Sequence, residues 1–580
     1  MYVCKFVEEL SKLRKSSKDS IDDTETFNEF KKYIHVKRDI ETHLKKILKH
    51  INNSNQKSLV LLCGSAGDGK SHLLSYLKNN DSENLLSSFT IYNDGTESAS
   101  PDKTAVDTLN ELLNDFADEN LNNNIEPSKS IILAINLGVL NNFIDSKYGK
   151  RYGLLRNYVY EKEILTSNTN NDIISDNPYF QSINFSDYHL FNLNENGINV
   201  VFIDSMMDKV FGENDDSPFY QKYISNCCHS CTRSKCCAVK HNFEFLKSKK
   251  CQEFIANSLV ECIIKEKLIL TTREFQNFIF DIIVPIDFHP NTTLAATDQT
   301  RRIDAYLKSM TPSLLFDQKD CSPLLSTIKI SDPITKRSEK NDEEAIDFYV
   351  KTSVEQSIKN EFNTLPYKDF LFENQVMQKI SIDKTYRSKL FSIIKRCQSF
   401  TSANLKDTDY QQFLRYLYYY NANNINKLDS LYEQVEFAVK QWCGTDEDDN
   451  LCIEANELGY KLYEEINFDV YEDDSILPIN NNELNRFTNY ICVKFQSKND
   501  ENSFIPLVID YSLYELITKL NKGYIQTSES RNNHADFLTF IKKIKNNGNS
   551  NKKVIVTGPN GLEMIFQKKK LGYTFKNKGD

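Results

Sequence analysis

The chain has 580 residues, of which 40% are hydrophobic and 26% charged, a composition typical of a globular protein with several domains. Its formal net charge of -10 argues against a surface that binds nucleic acid uniformly. The longest apolar runs, such as IILAINLGVL, are about half as long as a membrane span. The amino terminus lacks the apolar core of a signal peptide, and the isolated cysteines fit a reducing compartment. We therefore expect a cytoplasmic protein with no membrane association.

The first third of the chain predicts an α/β domain. A helix over residues 27–48 leads into the apolar strand SLVLLC, and the strand patterns SSFTIYND and SIILAINL follow, separated by a helix that begins near Lys103. Strands alternating with helices at this spacing indicate a parallel sheet with helical crossovers. The later segment SINFSDYHLFNLNENGINVVFI has β-branched and aromatic residues around Asn-Gly turns, which predicts extended structure or a hairpin.

The remaining two thirds predict helices followed by a small α+β domain. The stretch LILTTREFQNFIFDIIVP predicts a helix, with Thr271 and Glu274 spaced as a capping box. A polar linker is expected over residues 332–345, helices over 359–442, and strands in NYICVKFQ and KKVIVTGPNGLEMIFQ. These patterns predict an α/β core with a helical lead-in and a cysteine-rich insertion (1–245, the insertion at 227–241), a helical lid and linker (246–345), a helical domain (346–450) and an α+β domain (451–580).

The glycine-rich turn between SLVLLC and the helix pattern KSHLLSYLK is the clearest motif. It fits G-x-x-x-x-G-K-[ST] at every fixed position. Glycines let backbone N–H groups point at phosphate oxygens, the lysine adds charge at the β- and γ-phosphates, and the serine hydroxyl ligates Mg²⁺. The helix that follows directs its amino-terminal dipole at the same anion. The motif predicts that the α/β core, residues 1–245, is a P-loop NTPase core. We predict an ATP site with Mg²⁺ on Ser71, formed by Gly64, Ser65, Ala66, Gly67, Asp68, Gly69, Lys70, Ser71 and His72.

Hydrolysis requires further groups, and the sequence leaves their identity open. Asp94 ends the strand FTIYND and is a candidate for the acidic partner of the magnesium ion, while Asp204 after VVFI either fills that role or caps a helix. Asn136 ends the strand IILAIN, where an amide could orient water or the γ-phosphate. Arg273 lies in the first turn of a downstream helix, the position of the sensor arginine in AAA+ and STAND ATPases, or is an ordinary surface arginine. Arg38 precedes the P-loop strand, where those ATPases bind the adenine.

The segment NCCHSCTRSKCCAVKH is a second motif, less specific than the glycine loop, and it predicts a metal site. Tetrahedral zinc takes thiolate and imidazole ligands at about this spacing. The candidate ligands are Cys228, Cys231, Cys237 or Cys236, and His241 or Cys251. A redox pair and ordinary surface thiols are the alternatives. A zinc ion here would be structural, because so polar a loop has no core of its own.

In their order along the chain, these segments resemble the DptF family, a component of the bacterial DNA phosphorothioation-dependent restriction system. The motifs that carry the resemblance include YIHVKRDIE, GSAGDGKSHLL, YNDGTES, ILAINLGVLNNF, INFSDYHLF and LTTREFQNFIFDIIVP. The segments SDPITKRSEKND, LYEQVEFAVKQWCG and VIDYSLYELITKLNKGY extend the resemblance over nearly the whole chain. The resemblance implies a complex with the DptG and DptH subunits that damages DNA lacking phosphorothioate, in which this chain is the P-loop component.

The expected function is therefore an ATP-binding and ATP-hydrolysing subunit of a restriction complex. No nuclease constellation is evident in the sequence, so cutting is expected in a partner. The alternative is a nucleotide-gated signalling or scaffold ATPase with little turnover. A small-molecule kinase is disfavoured because the long helical and carboxyl-terminal regions exceed what such a kinase needs.

Overall fold

The computed structural model describes most of the chain: residues 4–22, 29–54, 56–93, 95, 104–123, 125–165, 173–228, 230–288, 298–318, 322–335, 338–401, 407–471, 482–497, 503–547, 553–569 and 572–577. The chain forms two compact units. The first comprises Met1–Asn192 with Asn199–Leu405, and the second comprises Leu193–Ile198 with Lys406–Asp580.

A four-stranded, all-parallel sheet forms the centre of the first unit, which confirms the predicted α/β core. The strand order is β2 (Phe89–Tyr92), β3 (Ser130–Ile135), β1 (Leu59–Cys63) and β4 (Phe180–Asn184). Residues of β1 pair with β3 on one side and β4 on the other, in parallel register. Every residue of β1 and β3 is buried, as expected for a sheet covered on both faces.

Helices cover both faces of the sheet. Successive residues of β1 point to opposite faces, so alternate residues pack with different helices. Leu59, Leu61 and Cys63 pack with α5 (Ala105–Leu112), α7 (Leu137–Ile144) and α8 (Gly153–Glu161), whereas Val60 and Leu62 pack with α3 (Asp39–Ser54) and α4 (Lys70–Asn79). The other helices of this part are α1 (Lys5–Asp22), α2 (Glu29–Ile34) and α6 (Asp118–Leu121).

The helix predicted over 27–48 is two helices, because the chain breaks between α2 and α3. Residues 35–38 have no helical structure, and both His35 and Arg38 make long-range contacts from this break. Tertiary contacts therefore override a sequence that contains no glycine or proline.

The predicted hairpin is present, but its last residues are helical. β4 is followed by β5 (Tyr188–Asn194) and β6 (Gly197–Asn199), and VVFI begins helix α9 (Val201–Phe211). Asp204 therefore lies inside a helix and does not end a strand, and the alternative that it acts as a strand-end acid is wrong.

The rest of the first unit is helical, as predicted. The expected linker at 332–345 is wrong in its second half, because Glu339–Val350 is a helix. The helices in chain order are α10 (Pro218–Lys222), α11 (Ala238–Leu246), α12 (Lys249–Lys265), α13 (Thr272–Ile283), α14 (Gln299–Ser309), α15 (Thr311–Asp317), α16 (Pro323–Ile328), α17 (Glu339–Val350), α18 (Glu355–Phe362), α19 (Lys368–Leu371), α20 (Asn374–Ile382) and α21 (Arg387–Thr401).

The second unit is α+β, with antiparallel strands. Strands β10 (Ile491–Gln496) and β11 (Phe504–Ile509) pair with each other, and a five-stranded sheet has the order β14-β13-β12-β8-β7. The other elements are α22 (Thr408–Asn421), α23 (Asp429–Cys443), β7 (Leu451–Ala455), β8 (Lys461–Glu464), β9 (Leu484–Arg486), α24 (Tyr511–Asn521), α25 (Ser528–Asn533), α26 (Ala535–Asn546), β12 (Lys553–Thr557), β13 (Glu563–Lys569) and β14 (Gly572–Asn577).

Among the described residues, every helix is too short or too polar to cross a lipid bilayer.

Candidate functional site

The glycine loop, residues 64–69, leaves the carboxyl end of the central strand β1 and enters α4. From β1 the chain passes to β2 and β3 on one side of the sheet and later to β4 on the other. In open α/β sheets, ligands bind outside the carboxyl ends of the strands where the strand order reverses in this way. The loop therefore lies where the fold itself creates a crevice.

Three glycines give the loop its curvature. Gly64, Gly67 and Gly69 have φ angles of 153°, 92° and 97°, a region that other residues rarely adopt. Gly69 immediately precedes α4, and no side chain caps this helix. Because the first N–H groups of a helix have no partner within it, the amino terminus of α4 can bind an anion.

Lys70 and Asp68 place opposite charges on the loop. Lys70 Nζ donates to the carbonyl oxygens of Gly64 at 2.9 Å and Ser65 at 2.7 Å. Asp68 Oδ2 accepts from the N–H of Ser65 at 2.5 Å, and burial raises the pKa of the Asp68 carboxyl. Ala66 is exposed at the tip. The lysine is thus held over its own loop, within reach of an anion that enters it.

Ser71 faces the end of the edge strand β2. Its Oγ donates to the carbonyl oxygen of Asn93 at 3.4 Å. Asn93 Oδ1 is buried and accepts no hydrogen bond from the part of the chain that the structure describes. An unsatisfied side-chain oxygen, on a residue whose main-chain carbonyl contacts a serine hydroxyl, suits a hard cation such as Mg²⁺, which prefers oxygen ligands. The residues present therefore fit a magnesium ion.

The predicted acidic partner, Asp94, lies outside the described residues. Its neighbour Gly95 is described, and its N–H donates to the carbonyl oxygen of Ala134 in β3 at 2.8 Å. Asn136 follows β3 at the same edge of the sheet, but its side chain caps α7 by accepting from the N–H of Gly138 at 2.9 Å. In this conformation the Asn136 side chain is the amino-terminal cap of α7.

Arg273 lies against the glycine loop, although 206 residues separate it from Gly67. The N–H of Arg273 donates to the carbonyl oxygen of Gly67 at 3.3 Å. A Cβ atom at Gly67 would lie 3.1 Å from the Cβ of Arg273 and 3.2 Å from Thr271 Oγ1. The predicted capping box holds this turn of α13, since Thr271 Oγ1 accepts from the N–H of Glu274 and the Glu274 carboxylate accepts from Thr271.

Arg38 approaches the loop from the other side. Its guanidinium donates to the carbonyl oxygens of Asp68 at 3.4 Å and Tyr188 at 2.9 Å, and it lies 5.4 Å from the ring centre of Phe202. Burial lowers the pKa of Arg38 to about 10, and the charge of Asp68 opposes that effect. Two arginines that are distant in sequence therefore flank the same loop.

His72 is turned away from the loop, so a contribution to anion binding could come only from its main-chain N–H. Its Nε2 lies 3.1 Å from Nδ1 of His35, whose Nε2 lies 3.2 Å from the Glu41 carboxylate. Burial, together with the charge of His35, lowers the pKa of His72 to about 4. His72 is therefore neutral near pH 7.

The predicted zinc ligands do not converge among the described residues, where no three His, Cys, Asp or Glu side chains are placed to hold a metal ion. His241 is fully buried, its Nδ1 lies 2.6 Å from the hydroxyl of Tyr306, and burial lowers its pKa to about 4. Cys237 precedes α11, and burial raises the pKa of its thiol to about 12. Cys228 is buried and Cys231 is half-buried. The zinc site stays a prediction.

Asn93 and Tyr188 are site residues that the sequence did not single out. Asn93 directly precedes the candidate Asp94, so the polar pair at the end of FTIYND was a usable signal. Tyr188 contributes only a backbone oxygen, to Arg38, and side-chain patterns carry no information about such a contact.

Comparison of the chain with protein-family models, with curated proteins and with solved structures finds no match.

Proposed function

We propose that the first unit binds ATP in the glycine loop and hydrolyses it. The observation that carries the proposal is the backbone of the loop, in which three glycines at positive φ lead from the carboxyl end of a central parallel strand into an uncapped helix. This geometry suits successive phosphates at the amino terminus of α4. Lys70 already lies over the loop and would exchange its two carbonyl partners for phosphate oxygens.

A magnesium ion would be held by Ser71 with help from Asn93. When bound, it would neutralise charge on the phosphates. Ser71 at the start of α4 contacts the main-chain carbonyl of Asn93, which follows β2, and the first turn of α13 brings Arg273 against Gly67. An arginine so placed would stabilise charge that develops on the γ-phosphate.

The work that hydrolysis drives is proposed from the resemblance to the DptF family. On that basis the chain is a cytoplasmic ATPase subunit of a restriction complex with DptG and DptH, and it acts on DNA that lacks phosphorothioate. Nuclease activity is assigned to a partner. The position of the glycine loop at the carboxyl end of β1 supports the nucleotide step of this proposal, and the resemblance supports the remainder.

One observation favours the alternative, a switch or scaffold ATPase with little turnover. Asp94 lies outside the described residues, and the described side chains that directly follow β2 and β3 are the amides of Asn93 and Asn136. An ATPase usually holds its magnesium ion and positions its water with an acidic residue. Slow turnover by the isolated chain is the expected consequence.

Nucleotide binding in the glycine loop is tested by measuring the affinity for a fluorescent ATP analogue in the presence of Mg²⁺. The proteins compared are wild type, Lys70→Ala and Lys78→Ala. Lys78 lies in the last turn of α4 and is exposed, so it controls for loss of a lysine from the same helix. We expect Lys70→Ala to weaken binding at least about tenfold, because hydrogen bonds to charged groups contribute roughly 1.5–3 kcal/mol, and Lys78→Ala to leave it unchanged. Equal affinities of all three proteins would refute nucleotide binding in the loop.

Turnover separates the two functions. ATP hydrolysis is measured for the chain alone, with duplex DNA, and with the partner subunits. Stimulation by DNA or partners that Lys70→Ala abolishes would support the restriction ATPase. ATP binding with a negligible rate under all three conditions would favour the switch.

A further inference from the structure

The carboxyl-terminal part of this acidic chain is strongly basic. Residues 537–579 contain ten lysines and a single carboxylate, Glu563, whereas the whole chain has a net charge of -10. Such a reversal of charge within one chain indicates a segment that meets a polyanion. Four of these lysines lie on described strands of the five-stranded sheet, and all four are exposed: Lys553, Lys568, Lys569 and Lys576.

Two phenylalanines lie side by side on one face of the same strands. Phe566 of β13 is directly opposite Phe575 of β14, and their ring centres are 6.2 Å apart with the planes inclined by 37°. Phe575 is 71% exposed, which is unusual for so large an apolar side chain. Lys568 is two residues beyond Phe566 and therefore belongs to the same face.

The exposure of this face increases towards the edge of the sheet. Across one row of paired residues, Glu464 is buried, Val554 and Phe566 are half-buried, and Phe575 is exposed. On the opposite face, Cys452, Tyr463 and Ile555 are buried and Ile565 packs against them. The sheet therefore has a small apolar cluster on one face and the aromatic pair on the other.

We propose that the face formed by Phe566, Lys568 and Phe575 binds single-stranded DNA. Exposed aromatic rings on strands stack with unpaired bases, and nearby lysines neutralise the phosphates between them. A duplex offers no unstacked bases, so it would use only the lysines. The choice of DNA over RNA rests on the proposed function. The surface itself is argued from residues of β13 and β14 alone, so it stands whether or not the glycine loop binds ATP.

The experiment is fluorescence anisotropy of the full chain with labelled oligo-dT of about 15 nucleotides, a length in the range of known single-strand sites. We expect Phe575→Ala to weaken binding about tenfold and Phe566→Ala to a similar extent, in line with base stacking on an aromatic side chain. Lys568→Gln should weaken binding and reduce the slope of log affinity against log salt by about 0.7.

Matched controls lie in the same unit. Phe504→Ala removes an aromatic residue that is 40% exposed on β11, and Lys519→Gln removes a half-exposed lysine on α24. Both should bind as wild type does. Because Phe575 is mostly exposed, Phe575→Ala should fold, and an unchanged thermal melting curve establishes this.

Several results would overturn the proposal: no binding to oligo-dT at low salt, equal affinity for duplex and single strand with Phe575→Ala unaffected, or tighter binding to oligo-U than to oligo-dT. The Lys70→Ala variant separates this failure from that of the proposed ATPase, since it should lose the nucleotide and keep the oligonucleotide. Loss of both ligands in Lys70→Ala would also count against an independent DNA surface.

Discussion

Alanine substitutions at Gly67 and Gly69 test the contact between the glycine loop and α13. Both strain the backbone, but only Gly67→Ala also places a Cβ atom against α13. Gly67 and Gly69 have nearly the same φ, 92° and 97°. An alanine at either position would be forced into the left-handed region, at a cost of about 1–2 kcal/mol. A Cβ at Gly69 meets nothing within 4 Å, whereas one at Gly67 would press against Arg273 and Thr271 at 3.1–3.2 Å.

Gly67→Ala should therefore cost more than Gly69→Ala. To make room, the first turn of α13 must move by a few tenths of an ångström, which weakens the hydrogen bond from the Arg273 N–H to the Gly67 carbonyl. Such a hydrogen bond contributes roughly 0.5–1.5 kcal/mol. We expect the free energy of unfolding to fall by about 1 kcal/mol more in Gly67→Ala than in Gly69→Ala.

Hydrogen exchange measured by NMR provides the local measurement, with chemical denaturation as the global one. The amide of Arg273 should exchange about five times faster in Gly67→Ala than in Gly69→Ala, the factor that corresponds to about 1 kcal/mol. If the two variants accelerate this amide equally, the docking of α13 on the loop does not have the energetic role that its geometry indicates.

Three further predictions concern the packing around the site and the helices beyond it. Arg396→Met should destabilise the first unit by roughly 3–5 kcal/mol in chemical denaturation, because it leaves the buried carboxylate of Asp332 without the guanidinium that lies 2.7 Å away. The double variant with Asp332→Asn should recover part of this loss, since the buried charge is then removed. Thr271→Ala should cost about 1 kcal/mol in the same assay, because it removes the cap of α13. Burial lowers the pKa of His72 from 6.5 to about 4, so the unfolded chain binds its proton more readily. Stability should therefore fall by up to roughly 3 kcal/mol between pH 6.5 and 4, and His72→Gln should flatten that part of the pH profile.

The sequence predicted the parts of the site that have strong local signals. The strand–loop–helix around Lys70 was predictable because an apolar strand, fixed glycines and an amphipathic helix follow one another directly. The capping box at Thr271 located the start of α13 to the residue, and with it Arg273. That Arg273 would contact Gly67 is a property of the tertiary fold, and the sequence offered it only through analogy with the AAA+ and STAND ATPases.

The errors have physical causes that are specific to each segment. VVFI is apolar and β-branched, as a buried strand would be, but here it is the first turn of α9, and a run of four such residues does not separate the two structures. The charged segment EKNDEEA has the composition of a linker, but it is the first part of helix α17. The buried residue of that helix is Phe348, which lies beyond the charged segment. The break before Arg38 depends on contacts with Asp68 and Tyr188, which no local pattern encodes.

The short segment Leu193–Ile198 also has a consequence for synthesis. These residues belong to the second unit, and Glu195 accepts a hydrogen bond from the hydroxyl of Tyr419 at 2.9 Å. On a ribosome that adds about 5–20 residues per second, the segment is made roughly 10–40 seconds before the residues it joins. The segment is therefore made long before the rest of its unit, and a fragment that begins at Lys406 would lack a piece of its own unit.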